Sequence, residues 1–278
     1  MPTVSFSDVP FAFLRIGLGV FSGEVPRLVT RPRNKNLTSR ANLRTQLLMK
    51  IFSALLLSVL LAFSAPSHDA SPPWAPTIFP SAELLQETAL TVQTERGSGS
   101  GVVVVKENGD IFVWTAAHVV DGAASLRLVK QIQIPGRTVG FFTIEADLVG
   151  FSKAHDLAVL KPRHKLFFKS GAQFEAATFI PKLGAEVQHV GSFLGLPGAE
   201  SFSKGVISYV GRVLDGNVFD QMSAPCFPGS SGGPVWSAEG KLIGLLVSGY
   251  DATFSFLVPV RRMHEWATAE NHPEWLDK

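Results

Sequence analysis

Three short stretches hold side chains that could act together. His118 lies in WTAAHVVDGA, directly after the apolar run IFVW. Asp156 lies in AHDLAVLKP, at the start of another apolar run, and PGSSGGPVW holds the adjacent serines Ser230 and Ser231. A hydroxyl is a weak nucleophile near neutral pH and needs a base to take its proton. The base needs a partner that fixes its tautomer and steadies the imidazolium, and a carboxylate does both. Serine, histidine and aspartate can therefore perform acyl transfer from distant loops, provided the fold brings them together. The residue types alone do not say which serine would attack.

The elements that must do the positioning are short. ALTVQTE, GVVVVKE, IFVWTAA, SLRLVKQIQI, FFTIEADLVGF and DLAVLKP form one series of Val-, Ile-, Phe- and Thr-rich runs. EVQHVGSF, KGVISYVGR, NVFDQMSA, GGPVWSA, KLIGLLVSG and TFSFLVPV form a second. Strand-length runs with turn signals between them predict an all-β barrel or sandwich, and two series predict two barrels or subdomains. In PVRRMHEWATAE the pattern changes: Val260, Met263, His264 and Ala267 fall at helical spacing behind Pro259, which predicts a closing helix over residues 260–270.

TAAHVV, HDLAVL and GSSGGPV resemble the three triad blocks of the chymotrypsin-fold, trypsin-like serine proteases, and most of all those of the bacterial HtrA/DegP-like branch. The likeness runs from about Leu84 to Met263. GSGSGVVV, HVGSFLGLPG, FSKGVISYVGR, GKLIGLLVSG and FSFLVPV fill in between the blocks in register. The resemblance implies two six-stranded antiparallel β-barrels, over residues 84–180 and 181–259, with a short C-terminal helix. It implies His118 as general base, Asp156 as its orienting partner and Ser231 as nucleophile, with Ser230 at the variable position of G-x-S-G-G-P. The amides of Gly229 and Ser231 are then the oxyanion hole, where donors meet the charge that develops in the transition state. No cofactor is implied. Pro225 stands where the trypsin-like branch carries an aspartate for basic side chains, so the resemblance implies a pocket for small or medium apolar residues. Cys226 is read as a wall of that pocket, and Val247, Ser248 and Gly249 match the edge that pairs with substrate backbone. Ser230 carries no charge and cannot form the ion pair by which a new N-terminus activates secreted zymogens. The PDZ domains of many HtrA proteins are not expected here.

The remaining signals bound the function. One cysteine, Cys226, excludes an intramolecular disulfide and a cysteine-based zinc site. His68, His155, His164, His189, His264 and His272 have no ligand spacing, so no metal is expected; His155 reads as a turn residue and His189 as a packed strand histidine. Formal net charge is +2, but residues 1–50 carry eight Lys/Arg against two acids. From Pro66 onward, 17 basic and 21 acidic residues leave a net of −4, which gives nucleic acid no basic patch to bind. The expected partner is a protein or peptide substrate.

Residues 1–48 read as a disordered basic arm, or as an upstream stretch if Met49 is the initiator. Lys50, the apolar run Ile51–Phe63 and the small residues to Ala65 have the layout of a signal peptide over 49–65, hence a secreted or periplasmic protein; a membrane anchor is the alternative. Five prolines between Pro66 and Pro80 predict an extended linker, taken as 66–83. The protease domain is placed at 84–270, with 271–278 as a tail. Two other functions stay open: a viral or phage polyprotein-processing protease, and a non-catalytic peptide-binding module that keeps the cleft.

Overall fold

The first strands explain their own composition. A strand covered on one face alternates apolar and polar residues, whereas one covered on both faces is apolar throughout. Val102, Val103 and Val104 are all fully buried, as are Val113 and Trp114. Val103 and Val113 face a cluster with Leu90, Val92, Ala158 and Leu160. Val102, Val104 and Trp114 face a second cluster that also holds Val190, Trp236, Leu245 and Val258 from the other half of the chain. One face thus fills a barrel and the other fills the seam between two barrels.

The computed structural model describes residues 81–134, 137–164, 168, 170–251 and 253–277. The basic arm, the apolar segment and nearly all of the proline-rich stretch lie outside them. In the first barrel β1 (Ala89–Gln93), β2 (Ser98–Val105), β3 (Ile111–Thr115), β4 (Arg127–Ile134), β5 (Arg137–Ser152) and β6 (Leu157–Pro162) close in the order β1-β2-β3-β6-β5-β4. In the second, β7 (Glu186–Phe193), β8 (Gly198–Leu214), β9 (Asn217–Met222), β10 (Pro234–Ser237), β11 (Leu242–Asp251) and β12 (Phe254–Pro259) close in the order β10-β11-β12-β9-β8-β7. Every ladder between these strands is antiparallel. The second barrel encloses its own core of Val187, Ile207, Met222, Val235, Ile243, Leu246 and Leu257.

Among the described residues three α-helices accompany the barrels: α1 (Ala82–Glu87), α2 (Ala117–Val120) and α3 (Val260–Ala269). The expected closing helix is α3. Two boundaries differ from the expectation. Ser81 caps α1 by accepting from the Leu84 amide, so the residues just before 84 are helix, not linker. Residues 273–275 form a 3-10 turn whose Trp275 is buried, so the predicted tail is packed. A six-residue helix and a short aromatic segment carry too little periodicity to be read in advance.

The C-terminal segment seals the first barrel. Trp114 Nε1 donates to Trp275 O at 2.8 Å, and the Trp114 ring meets Trp266 edge-on at 5.5 Å and Trp275 at 6.4 Å. A polar lock joins the barrels on another side. Glu200 of β8, 3 % exposed, accepts from Lys130 of β4 and from the Gln131 amide at 2.8 Å. Lys130 also donates to Gln86 O and Ala89 O at the end of α1. Burial raises the Glu200 carboxyl and lowers the Lys130 ammonium, while each charge works against the shift of the other. Among the described residues no helix is long and apolar enough to cross a membrane.

Candidate active site

Strand β3 delivers His118. After Thr115 the chain leaves the barrel and turns at once into α2, the single helical turn that presents the imidazole. The turn between β5 and β6 delivers Asp156, whose backbone is left-handed (φ 53). That conformation is costly for most residues and is best tolerated by Asp and Asn. His118 Nδ1 lies 3.0 and 2.9 Å from the two Asp156 carboxylate oxygens, and the His118 amide donates to Oδ1 at 3.0 Å. A carboxylate facing Nδ1 holds the proton there and leaves the Nε2 lone pair free to accept. Among the described residues His118 is the only hydrogen-bond donor to this carboxylate.

The loop between β9 and β10 carries the serines. The Ser231 carbonyl accepts from the Ser100 amide of β2 at 2.7 Å. A methyl group at Gly99 would meet both the Val119 side chain and Ser231 O, at 2.5 and 2.9 Å. Only a residue without Cβ lets the serine loop approach the His118 helix so closely. The Ser231 hydroxyl itself donates to Val247 O at 3.2 Å and makes no hydrogen bond to His118.

The two serines differ in kind. Ser230 is fully buried, and its hydroxyl closes a turn by donating to Phe227 O (2.6 Å) and accepting from the Phe227 amide (2.9 Å). Gly229 holds φ 94, and a Cβ there would sit 2.2 Å from Ser192 O. The Gly229 carbonyl is taken by Ser100 Oγ (2.7 Å) and the Pro228 carbonyl by the Leu194 amide (2.7 Å). Among the described residues the amides of Gly229 and Ser231 meet no acceptor. With its carbonyls tied back, the loop offers two donors beside one hydroxyl.

Ser100, Leu194 and Arg262 are site-supporting residues that the motifs did not reveal. Ser100 Oγ accepts from the Ser192 amide (2.8 Å) while it donates to Gly229 O. Arg262 reaches the turn that bears Asp156. Composition gave no signal for any of the three; the nearest was the glycine–serine alternation of GSGSG, which marks β2 as the strand the loop touches.

Of the other predicted residues, Val247, Ser248 and Gly249 lie on β11 beyond Leu245, where its pairing with β10 stops. Their edge toward the serine loop is thus outside the β10 ladder. Cys226 packs against Gly249: a Cβ on that glycine would come within 2.7 Å of Cys226 Cβ. Burial pushes the Cys226 thiol up to about 11. At pH 8 its thiolate fraction is then about 100-fold below that of an ordinary thiol. Ellman's reagent on the folded protein should react correspondingly slowly and reach normal speed after denaturation; fast reaction in the native state contradicts the burial. Pro225 precedes Cys226 and is half-buried. His155 sits in the Asp156 turn, and fully buried His189 donates its Nδ1 proton to Pro234 O (2.9 Å) behind the serine loop. Burial holds His189 down at about 4, so it is neutral at working pH.

A clasp on the far side steadies the segment after α2. Glu95, in the β1–β2 turn, accepts from the Ala124 amide (2.9 Å) and from the Ser125 amide (3.2 Å). Led by the Ala124 amide, these contacts lower its carboxyl from 4.5 to about 2. Because the folded value is the lower one, the clasp is intact above about pH 4.5 and lost as pH falls through about 2. Glu95→Gln should speed hydrogen exchange at Ala124 and Ser125 at neutral pH, and exchange unchanged from wild type rules the clasp out.

Two closed barrels with these loops at their seam define the chymotrypsin-type architecture. The description "trypsin-like peptidase domain" matches residues 99–245, and the chain belongs to that family. It is 34 % identical over 161 residues to the serine protease Do-like HtrA of Bacillus subtilis, covering 55 % of this chain and 33 % of that protein. It is 32 % identical over 177 residues to the probable periplasmic serine endoprotease DegP-like of Halomonas elongata, covering 60 % and 34 %. The chain thus spans about a third of the length of these curated relatives. Among solved structures it is similar to the HtrA-type protease AlgW with tripeptide (TM-score 0.56, 23 % identity, 70 % of this chain and 64 % of that one). It is also similar to the serine endoprotease from Yersinia pestis (TM-score 0.54, 21 % identity, 69 % and 67 %), and both likenesses concern the fold.

Proposed function

We propose that the chain is a serine endopeptidase that hydrolyses peptide bonds through an acyl-enzyme on Ser231. The observation that carries this reading is the pairing of both Asp156 oxygens with His118 Nδ1 across the seam from the Ser231 loop. On this reading a rotation of the Ser231 hydroxyl from Val247 O toward His118 Nε2 accompanies substrate entry; catalytic hydrogen bonds often tighten only when substrate is bound. His118 takes the proton as Ser231 Oγ attacks the scissile carbonyl. Asp156 steadies the imidazolium, and the Gly229 and Ser231 amides receive the developing oxyanion. His118 then gives its proton to the leaving amine, and water repeats the sequence to free the acid.

Substrate backbone adds as a strand to the open edge at Val247–Gly249. Pro225 and Cys226 form an uncharged, narrow wall opposite Gly249, which favours a small or medium apolar side chain before the scissile bond. The substrates are proteins or peptides. Residues 49–65 act as a signal peptide and send the mature protein to the periplasm or out of the cell. A mature N-terminus near Ala65 by mass spectrometry supports that route, and an intact arm supports an anchor.

A fluorophosphonate probe tests the chemistry. The expected result is one label per chain, on Ser231, lost in Ser231→Ala and in His118→Ala. Folded protein that stays unlabelled at an accessible Ser231 sinks the enzyme reading and leaves a peptide-binding module.

A further inference from the structure

The carboxylate facing His118 is supported from the opposite barrel by an arginine. Arg262 is the third residue of α3, only 6 % exposed. Its Nη1 donates to Val218 O (3.1 Å), and the guanidinium lies over the Phe219 ring at 5.2 Å. Of the two Nη2 hydrogens, one goes to Asn217 Oδ1 (2.7 Å). The other points at the turn of the first barrel, shared between His155 O (3.4 Å) and His155 Nδ1 (3.3 Å). The next residue is Asp156, in its left-handed conformation, with His118 as its sole hydrogen-bond donor among the described residues.

A buried arginine is normally matched by a carboxylate it touches. Asp220 is bound by Arg261, not Arg262. What Arg262 touches is neutral: two carbonyls, an amide and an imidazole. Its charge acts at longer range. Burial holds the guanidinium below its ordinary value, and the carboxylates of Glu265 and Asp156 oppose that, with Arg261 adding to it. Burial and the Arg262 charge also lower the His155 imidazole, against Glu265 and Glu270, which keeps its Nδ1 an acceptor.

Resting on the endopeptidase reading above, we propose that Arg262 is a positioning residue for Asp156. Its planar fork fixes the Asp156 turn through His155. The seam between the barrels, across which substrate binds, is therefore spanned by one side chain that registers the acid of the first barrel against the second. A change in barrel packing would move Asp156 directly.

Arg262→Met and Arg262→Lys separate fork from charge. Lysine keeps the charge but cannot span His155 and Asn217 together. The readouts are the second-order rate of Ser231 labelling by a fluorophosphonate across roughly pH 5–9, and kcat and KM on fluorescein-labelled casein. Arg262→Met is expected to label and turn over about 10- to 100-fold more slowly, with KM within about twofold. Arg262→Lys, which keeps the charge and loses the fork, should stay slow. Asn217→Ala, which frees the guanidinium, should slow labelling in the same direction and carries the test if Arg262→Met does not fold. Folded variants with wild-type rate, in a wild type that labels, overturn this inference alone. A change confined to KM or to thermal stability also overturns it. A wild type that never labels overturns the endopeptidase reading and this inference with it.

Discussion

Ser231→Ala is expected to lower turnover by about 10⁴-fold or more and to leave a residue of rate from the two amides. The adjacent Ser230→Ala should lower it by no more than about tenfold. The contrast follows from where the hydroxyls point. Ser231 Oγ lies at the seam, bound among the described residues only to Val247 O. Ser230 Oγ is turned into the protein and closes on the Phe227 backbone. From sequence Ser230 reads as the variable position, with most activity kept on its loss. Its buried bonds now assign it a bracing role. Removing them strips the Phe227 amide of an acceptor at a part-buried site, a loss of about 0.5–1.5 kcal/mol. Steady-state kinetics on both variants, with thermal melts beside them, check this. Equal losses from the two serines would contradict the assignment of Ser231 as nucleophile.

The second large effect is expected at Gly229. An alanine there must hold φ 94 while its methyl group lies 2.2 Å from Ser192 O and 2.9 Å from the Gly195 amide. Neither neighbour is a side chain that can swing away. The loop must therefore rotate, and the Gly229 amide rotates with it. Loss of one oxyanion donor costs about 10²- to 10³-fold in kcat, so Gly229→Ala should fall in that range. KM should change much less, because the donor is used in the transition state more than in the ground state. The distinguishing measurement is fluorophosphonate labelling against binding of a peptide product. Binding should survive while labelling collapses, and a Gly229→Ala protein with normal kcat disproves the oxyanion assignment.

Much of this was legible in the sequence for a physical reason. Barrel strands buried on both faces are written as valine runs, and the loops at their ends are written as glycine and serine. VVVV in β2 and IFVW in β3 are both of this sort, and the two series of six runs became two barrels of six strands. His118, Asp156 and Ser231 stand in short blocks with their local context intact. What could not be read depends on partners far along the chain. Ser100 meets Gly229 across 129 positions, and Arg262 meets His155 across 107. Neither residue type announces such a contact: a serine in a glycine-rich strand and an arginine on an amphipathic helix are ordinary surface choices. The helix α1 was missed because six residues hold too few turns for a period to show.

The tryptophan seal has a consequence for how the protein comes to be folded. The indole of Trp114, in the third strand, is completed by Trp266 and by the Trp275 carbonyl 161 positions later. Until those residues are available, the first barrel exposes a large apolar ring and a donor that later lies buried. Contacts of such separation are slow to form, since the intervening chain must first be ordered. On a ribosome the N-terminal half therefore waits, partly assembled, for the C-terminal helix to emerge. The nascent intermediate is the state most exposed to misfolding and capture by chaperones.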